Sequence, residues 1–289
     1  MALFPAGQAH RHARHAAHGA SPWVEGLARL GYAAKGVVYL IVGGLAAQAA
    51  LGSGGQTTGS EGALSTILRQ PLGQVLLGAV AVGLAGYALW RFVQAALDPE
   101  DKGTDAKGIA IRIGYAISGV IHAGLAIEAA RMVLGNGGGS GQGGGRGAGG
   151  EADHWASLVL SQPFGPYLLG IVGAGIAGFG LYQLYKAYQV KLGKQLDLSG
   201  MGSTAREWTI RFGRFGLAAR GVVFGVIGVL LLQAALQFDP QDAVGVAGAL
   251  RALEQQPYVP WLFGAVALGL VAYGFFELVK ARYRRIQPA

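Results

Sequence analysis

The stretch Arg29-Leu30-Gly31-Tyr32-Ala33-Ala34-Lys35-Gly36 opens a long apolar run, and two similar stretches open further runs later in the chain. They are Arg112-Ile113-Gly114-Tyr115-Ala116-Ile117-Ser118-Gly119 and Arg214-Phe215-Gly216-Leu217-Ala218-Ala219-Arg220-Gly221. Each is followed by a second apolar run, which begins at Gln70-Pro71, Gln162-Pro163 and Gln256-Pro257 respectively. A two-part unit that occurs three times predicts a fold built from three copies of one supersecondary unit.

The composition is typical of a membrane protein. Of 289 residues, 52% are hydrophobic and only 13% are charged, and the mean hydropathy is +0.39. Soluble domains carry about 25% charged residues. The chain has no cysteine, which excludes disulfides, thiol catalysis and thiolate metal sites. The first apolar run starts near Leu30, after a polar, histidine-rich stretch, so we expect it to remain as a membrane anchor.

Six stretches are long and apolar enough to cross a bilayer as helices, since a span needs about 20 residues. They cover residues 30–51, 72–97, 111–134, 164–189, 212–236 and 258–281. Backbone groups in lipid must bond within their own segment, and the period-two pattern of a barrel strand is absent from these stretches. The expected fold class is therefore an all-α membrane protein with six transmembrane helices.

The basic residues predict the orientation of these helices. Residues 1–35, 91–112, 186–220 and 280–289 hold 19 of the 23 Lys and Arg residues. Cytoplasmic connectors are the ones rich in Lys and Arg, so both termini are expected in the cytoplasm and the chain in a bacterial inner membrane. The formal net charge of +8 then reflects topology, and we expect no nucleic-acid partner.

Each repeat is then one hairpin of an outgoing and a returning helix. An even number of spans per repeat keeps the three hairpins parallel, so we expect a pseudo-threefold arrangement about the membrane normal. Repeat one covers residues 27–98, repeat two 109–189 and repeat three 208–282. Residues 1–26 are expected to form a disordered His/Arg-rich cytoplasmic tail, and 135–150 a flexible glycine-rich outer loop in repeat two.

The returning helices share small and aromatic positions. The corresponding sets are Gly83, Gly175 and Gly269; Tyr87, Phe179 and Tyr273; and Trp90, Tyr182 and Phe276. Small residues four apart let helix backbones approach closely, so we assign the glycines of such pairs to helix packing. The pairs are Gly221-x-x-x-Gly225, Gly170-x-x-x-Ala174-x-x-x-Gly178 and Ala265-x-x-x-Gly269. Proline suits the first turn of a helix, which places Pro71, Pro163 and Pro257 there.

The glycine-aromatic ending Gly83-Leu84-Ala85-Gly86-Tyr87-Ala88-Leu89-Trp90, the Gln-Pro start and the arginine-glycine opening together resemble the domain-of-unknown-function 1206 family of bacterial membrane proteins. The resemblance covers about residues 27–282 and implies an integral membrane protein of three two-helix modules. It implies no activity. Repeat two departs most, because Ser118 replaces the basic residue of the opening and the outer loop is longer.

Three polar residues of repeat two form a candidate intramembrane site. Glu128 replaces a leucine of the other repeats, and an ionisable residue within a span suggests function. Arg131 lies three residues later, so the alternatives are an ion pair near the outer interface or a role with an ion, proton or ligand. His122 stands where the other repeats have Tyr39 and Phe224, either as a packed histidine or as a proton-exchanging one.

Four charges form a second candidate group on the cytoplasmic side. Lys35 and Arg220 correspond, and their side chains either extend to lipid phosphates or line a vestibule for anions. Arg91 and Glu277 also correspond, with Gln183 between them in the series. Near a pseudo-threefold axis Arg91 and Glu277 pair with each other; otherwise they face the cytoplasmic headgroups.

Catalytic signatures are absent from the sequence, so we expect neither an enzyme nor a cofactor. The histidines between His10 and His18 lack the spacing and the acidic or thiol neighbours of a folded metal site.

Two functions remain. One is a small-solute or ion translocator, or its accessory subunit. The other is a non-catalytic scaffold or regulatory protein that binds lipid or another membrane protein. Membrane lipids are the expected partners, with another membrane protein or a second copy as further possibilities.

Overall fold

The computed structural model describes residues 21–53, 57–99, 102–135, 156–189, 196–238, 246–255 and 260–284. Within these ranges the fold is helical, and the only strand-like pairing is an isolated bridge between Leu196 and Arg284. The helices are α1 (Ser21–Ala50), α2 (Ser60–Leu68), α3 (Gly73–Leu97), α4 (Ala106–Val133), α5 (Gly165–Tyr188), α6 (Ser203–Gln237), α7 (Val246–Glu254) and α8 (Pro260–Tyr283). Residues 156–160 are also helical.

Six of these helices, α1, α3, α4, α5, α6 and α8, are long and apolar enough to span a membrane. They coincide with the six predicted segments, and the chain is an all-α, multi-pass membrane protein. Helix α1 begins at Ser21, so residues 21–26 of the expected disordered tail are helical. The histidine-rich run and residues 136–150 of the expected glycine-rich loop lie outside the described residues.

The six long helices form a ring whose order follows the chain. Helix α1 packs against α3, α3 against α4, α5 against α6, α6 against α8, and α8 against α1. Over the described residues α4 and α5 make no extensive contact. The predicted arrangement of three parallel hairpins is confirmed. Of its six helix–helix seams, the one between α4 and α5, here called the repeat-two seam, is open.

The hairpins of repeats one and three close because glycines let the helices touch. A Cβ atom on Gly31 would lie 2.5 Å from the Cβ of Tyr87, and one on Gly216 would lie 2.5 Å from the Cα of Tyr273. Any side chain at these two positions would therefore push the returning helix away. The repeated opening sequence sets the spacing of these two hairpins.

Short helices that the sequence analysis missed precede the returning helices. Helices α2 and α7 bury Leu64 and Leu250 completely. Pro71 was expected in the first turn of its helix, but α3 begins at Gly73, and Pro163 likewise lies before α5. The Gln-Pro pair belongs to a tight turn in which the N–H of Gly73 donates to the carbonyl of Gln70 at 2.8 Å. Pro257 lies outside the described residues.

Two aspartates order the connector between α3 and α4. The carboxylate of Asp98 accepts the backbone N–H groups of Lys102 and Gly103, each at 2.8 Å. Hydrogen bonding to Lys102 holds the pKa of Asp98 below its usual range. Asp105 caps α4 by accepting the N–H of Gly108 at 2.9 Å. These bonds fix where α4 begins, and hence the position of Lys107 in its first turn.

The ring has two halves along its helix axes, and these halves differ in the polarity of their side chains. The half beside α2 and α7 is filled by an apolar cluster to which all six long helices contribute. At the other end lie Arg29 of α1, Lys107 of α4, Lys186 of α5 and Lys280 of α8. We call this end the basic side. The apolar cluster closes the ring on the opposite side, which leaves the basic half to hold polar groups.

Candidate functional site

A cavity of about 540 Å³ lies inside the basic half of the ring. All six long helices contribute to its wall. Its cationic lining residues are Lys35, Arg91, Lys107, Lys186, Arg220, Lys280 and Arg284. Among the described lining residues there is no Asp or Glu. Because charges interact strongly in a low-dielectric interior, this lining creates a positive potential inside the membrane domain.

Lys35 lies near the middle of α1 and is only 5% exposed. Its ammonium group donates to the hydroxyl of Tyr87 at 3.2 Å, to that of Tyr273 at 3.0 Å and to Glu277 Oε1 at 3.4 Å. The charge of Lys35 thus lies inside the ring and not at the lipid phosphates. Of the two alternatives drawn from the sequence, the geometry of Lys35 matches the vestibule.

Glu277 is a carboxylate in contact with this group of cations, and it is completely buried. Its Oε1 atom accepts from Lys280 Nζ at 2.8 Å as well as from Lys35. Its Oε2 atom is buried without a hydrogen-bond partner among the described residues. One carboxylate is therefore shared by two lysines, which leaves the cavity with an excess of positive charge.

The two arginines of the wall bond to tyrosines. Arg91 donates to the Tyr87 hydroxyl from Nε at 2.9 Å and also from Nη2, and its Nη1 donates to Gln94 at 2.9 Å. Arg220 Nη1 donates to the Tyr273 hydroxyl at 2.8 Å. The direct Arg91–Glu277 pair considered from the sequence does not form. The Nε atom of Arg220 is buried and has no hydrogen-bond partner in the described part of the chain.

His122 joins this cavity, whereas its sequence neighbours in the candidate site do not. Its Nδ1 atom lies 2.7 Å from the carbonyl oxygen of Ser118, and its ring lies 4.5 Å from the ring of Tyr87. Glu128 is half-buried, Arg131 is exposed, and neither lines the cavity. No ion pair joins Glu128 to Arg131 within the described ranges. The structure thus groups His122 with the second set of candidates, Lys35, Arg91, Arg220 and Glu277.

Four further cations of the wall were not singled out as site residues from the sequence. They are Lys107, Lys186, Lys280 and Arg284. In the sequence they counted only toward membrane orientation. A signal was present, because Lys186 and Lys280 follow Gln183 and Glu277 by three residues and so share a helix face with them.

The lining chemistry suits an anion better than a metal ion. Ammonium and guanidinium groups repel cations, and arginine presents a planar set of donors that matches phosphate or carboxylate oxygens. Within the residues that the structure describes, no group of three or more His, Asp or Glu side chains has the arrangement of a metal site. The charge and hydrogen-bonding capacity of the lining therefore favour an anionic ligand.

Fold and site together define a multi-pass membrane protein of three hairpin repeats with a basic internal cavity. The chain belongs to the family described as Domain of Unknown Function (DUF1206), whose sequence model matches residues 30–98, 113–189 and 215–284. These matches fall on the three repeats, which confirms the resemblance seen in the sequence. "Uncharacterized protein YxxB" of Bacillus subtilis (strain 168) is 36% identical over 265 residues, covering 92% of this chain and 93% of the relative. No solved structure matches the chain.

Proposed function

We propose that this protein is a non-enzymatic anion-binding membrane protein, whose ligand carries a phosphate or carboxylate group into the basic cavity. The observation that carries the proposal is the wall of Lys and Arg side chains around Lys35 and Arg220, with Glu277 as the carboxylate in contact with it. The proposal favours the binding role over the translocator.

Electrostatics support a bound anion. Charged groups inside a membrane domain are costly, and they are normally compensated by an opposite charge or mark a functional site. Here Glu277 compensates only part of the positive charge. A phosphate group in the cavity would supply negative charge and would accept hydrogen bonds, including one from the unpartnered Nε of Arg220. Binding and stability should therefore be coupled in this protein.

The shape of the ring supports binding in preference to free passage. The cavity lies in the basic half, while the apolar cluster around Leu64, Leu84 and Leu250 fills the other half. A translocator would need a second state in which this cluster opens. We therefore propose a protein that holds its ligand, as a scaffold or regulator does.

The binding test uses purified protein and glycerol 3-phosphate, a soluble compound with the proposed anionic group, in isothermal titration calorimetry. Arg220→Gln is expected to weaken binding by about 10- to 150-fold, since a hydrogen bond between charged groups contributes about 1.5–3 kcal/mol. Arg131→Gln is the matched control and should bind like the wild type, because Arg131 lies outside the cavity. Arg220→Lys, which keeps the charge, should retain part of the affinity. No binding by the wild type, or equal losses in Arg220→Gln and Arg131→Gln, would overturn the proposal.

We also propose that the basic side is cytoplasmic and that the protein lies in the inner membrane with both termini inside. The chain has no cysteine, so single introduced cysteines can be labelled without background. A membrane-impermeant maleimide added to intact spheroplasts should label Leu51→Cys, which is exposed at the end of α1. It should label Lys107→Cys only after permeabilisation. Labelling in the opposite order would reverse the orientation.

A further inference from the structure

The repeat-two seam lacks a side-chain hydrogen bond that joins the two long helices in repeats one and three. In repeat one, Lys35 of α1 donates to Tyr87 of α3. In repeat three, the corresponding Arg220 of α6 donates to Tyr273 of α8. Repeat two has Ser118 and Phe179 at these positions. Phe179 has no hydroxyl group to accept such a bond, and its ring packs at 5.2 Å against Phe224 of α6.

Side-chain volume also keeps this seam open. In repeat one a Cβ atom on Gly83 would lie 2.7 Å from the Cβ of Ala34, so the helices touch at that point. The position of Ala34 is taken in repeat two by Ile117, which is 56% exposed. A branched side chain at the point of closest approach opposes closure. Three residues specific to repeat two, Ser118, Phe179 and Ile117, thus act in the same direction.

The open seam leaves the cavity accessible from the side. Added Cβ atoms on Gly114, Gly175 and Gly178 would meet nothing within 4 Å, although all three glycines line the cavity. Gly175 and Gly178 correspond to Gly83 and Gly86, which are in tight contact with α1. The cavity wall therefore has a gap between two helices that are each long and apolar enough to span a membrane.

We infer that the ligand of the cavity is an anionic phospholipid, whose headgroup lies among the cations while its acyl chains pass through the repeat-two seam into the bilayer. This inference rests on the proposed anion site and adds the chemical class of the ligand. The polar part of the wall, with Lys35 and Arg220, complements a phosphate headgroup. Ile117 and Phe179, exposed by 56% and 43%, offer an apolar surface to acyl chains at the seam.

The size of the cavity is compatible with this ligand. Its volume of about 540 Å³ lies within the range of small-molecule sites and accommodates a glycerophosphate headgroup. Acyl chains do not need space within the cavity, because the seam leads them to the lipid phase. Lys107 and Lys186 lie near the water-facing ends of α4 and α5, so a soluble headgroup compound also reaches the cavity without using the seam.

The test is native mass spectrometry of the purified protein with phosphatidylglycerol, phosphatidylcholine of matched chains, and glycerol 3-phosphate. The wild type is expected to retain phosphatidylglycerol in preference to phosphatidylcholine. Ile117→Trp should reduce bound phosphatidylglycerol by about tenfold, because the larger side chain obstructs the seam, while glycerol 3-phosphate binding stays unchanged, since Ile117 does not line the cavity. Val82→Trp is the matched control, because Val82 of α3 is equally exposed and lies outside the cavity lining, and it should bind like the wild type. Arg220→Gln should weaken both ligands.

The possible outcomes separate the two proposals. If the wild type binds neither glycerol 3-phosphate nor phosphatidylglycerol, the anion site itself fails. If glycerol 3-phosphate binds through Arg220 but phosphatidylglycerol does not bind, or binds equally well to Ile117→Trp, the lipid inference alone is overturned. A copurified membrane protein that Ile117→Trp releases would also overturn it, since its helix and not acyl chains would occupy the seam.

Discussion

Glu277 has opposite effects on the stability of the protein and on its affinity for an anion. It compensates Lys35 and Lys280, and it also lowers the positive potential that an anion would meet. Because Glu277 is completely buried, water screens both interactions less than it would at the protein surface. Stability and ligand affinity are therefore expected to respond to this residue with opposite signs.

Glu277→Gln should destabilise the protein by about 3 kcal/mol, because it removes one partner of a buried ion pair and leaves two lysines without it. The same change should raise the affinity for glycerol 3-phosphate by about tenfold, since a unit of negative charge leaves the vicinity of the anion. Thermal unfolding in detergent and calorimetric titration measure the two quantities. Glu254→Gln serves as a control, because Glu254 is exposed at the end of α7. Weaker binding by Glu277→Gln would contradict the electrostatic account.

The sequence singled out Lys35, Arg91, Arg220 and Glu277 by their correspondence between repeats, but not their contacts. Lys35 meets Tyr87 and Tyr273 from two different hairpins, and the rotation of each helix in the ring decides such meetings. The sequence pattern defines the face of a helix, not its register against a neighbour from another repeat. Hence the sequence offered two positions for the Lys35 side chain, at the lipid phosphates or in a vestibule, and gave no means to choose between them.

Equivalent glycines perform different roles in the long helices, depending on whether the neighbouring helix is in contact. Gly31 and Gly114 occupy the same position of the repeated opening. Gly31 lies directly against Tyr87, whereas Gly114 has open space around it. The repeat alone gives no reason to treat the two glycines differently.

Gly31→Ala should lower stability by about 2 kcal/mol, since the added methyl group would force α1 and α3 apart. Gly114→Ala should leave stability unchanged within about 0.5 kcal/mol or raise it slightly, because alanine favours the helix and meets no neighbour. Thermal unfolding of the two variants under identical detergent conditions makes the comparison. Equal destabilisation by both changes would show that the repeat-two seam is packed like the others.

The short helices and the helix boundaries were harder to predict from the sequence than the six long helices. The six spans followed from length and hydropathy, which dominate for long apolar segments. Helices α2 and α7 are only nine residues long, so their few apolar residues did not distinguish them from a connector. Their signal was an Ala-Leu pair at the same distance before two of the three Gln-Pro pairs, Ala63-Leu64 before Gln70 and Ala249-Leu250 before Gln256. Tertiary contacts with the ring, rather than intrinsic propensity, stabilise helices this short.

The whole molecule is a ring of six helices with one open seam, and only the ring could be predicted from the sequence. Three parallel hairpins followed from the repeat and from the charge distribution. The open seam did not, because the glycines Gly175 and Gly178 suggest a packed hairpin like the others. The deciding residues were Ser118, Phe179 and Ile117, whose effect depends on the partners that they would meet across the seam.

Paired cysteines should report the difference between the seams. Ala34→Cys with Gly83→Cys spans the closed seam of repeat one, and Ile117→Cys with Gly175→Cys spans the corresponding positions of repeat two. A disulfide requires Cα atoms within about 7 Å. Mild oxidation in membranes should therefore cross-link the first pair and not the second, as seen by gel mobility after cleavage in the intervening loop. Equal cross-linking of the two pairs would contradict an open repeat-two seam.

The central claim is that an open ring of three hairpins holds an anionic lipid in its basic cavity. An experimental structure of the protein in nanodiscs that contain phosphatidylglycerol tests it most directly. We predict headgroup density between Lys35 and Arg220, continuous with acyl-chain density between α4 and α5. A ring in which α4 packs against α5 and encloses an empty cavity would contradict the account.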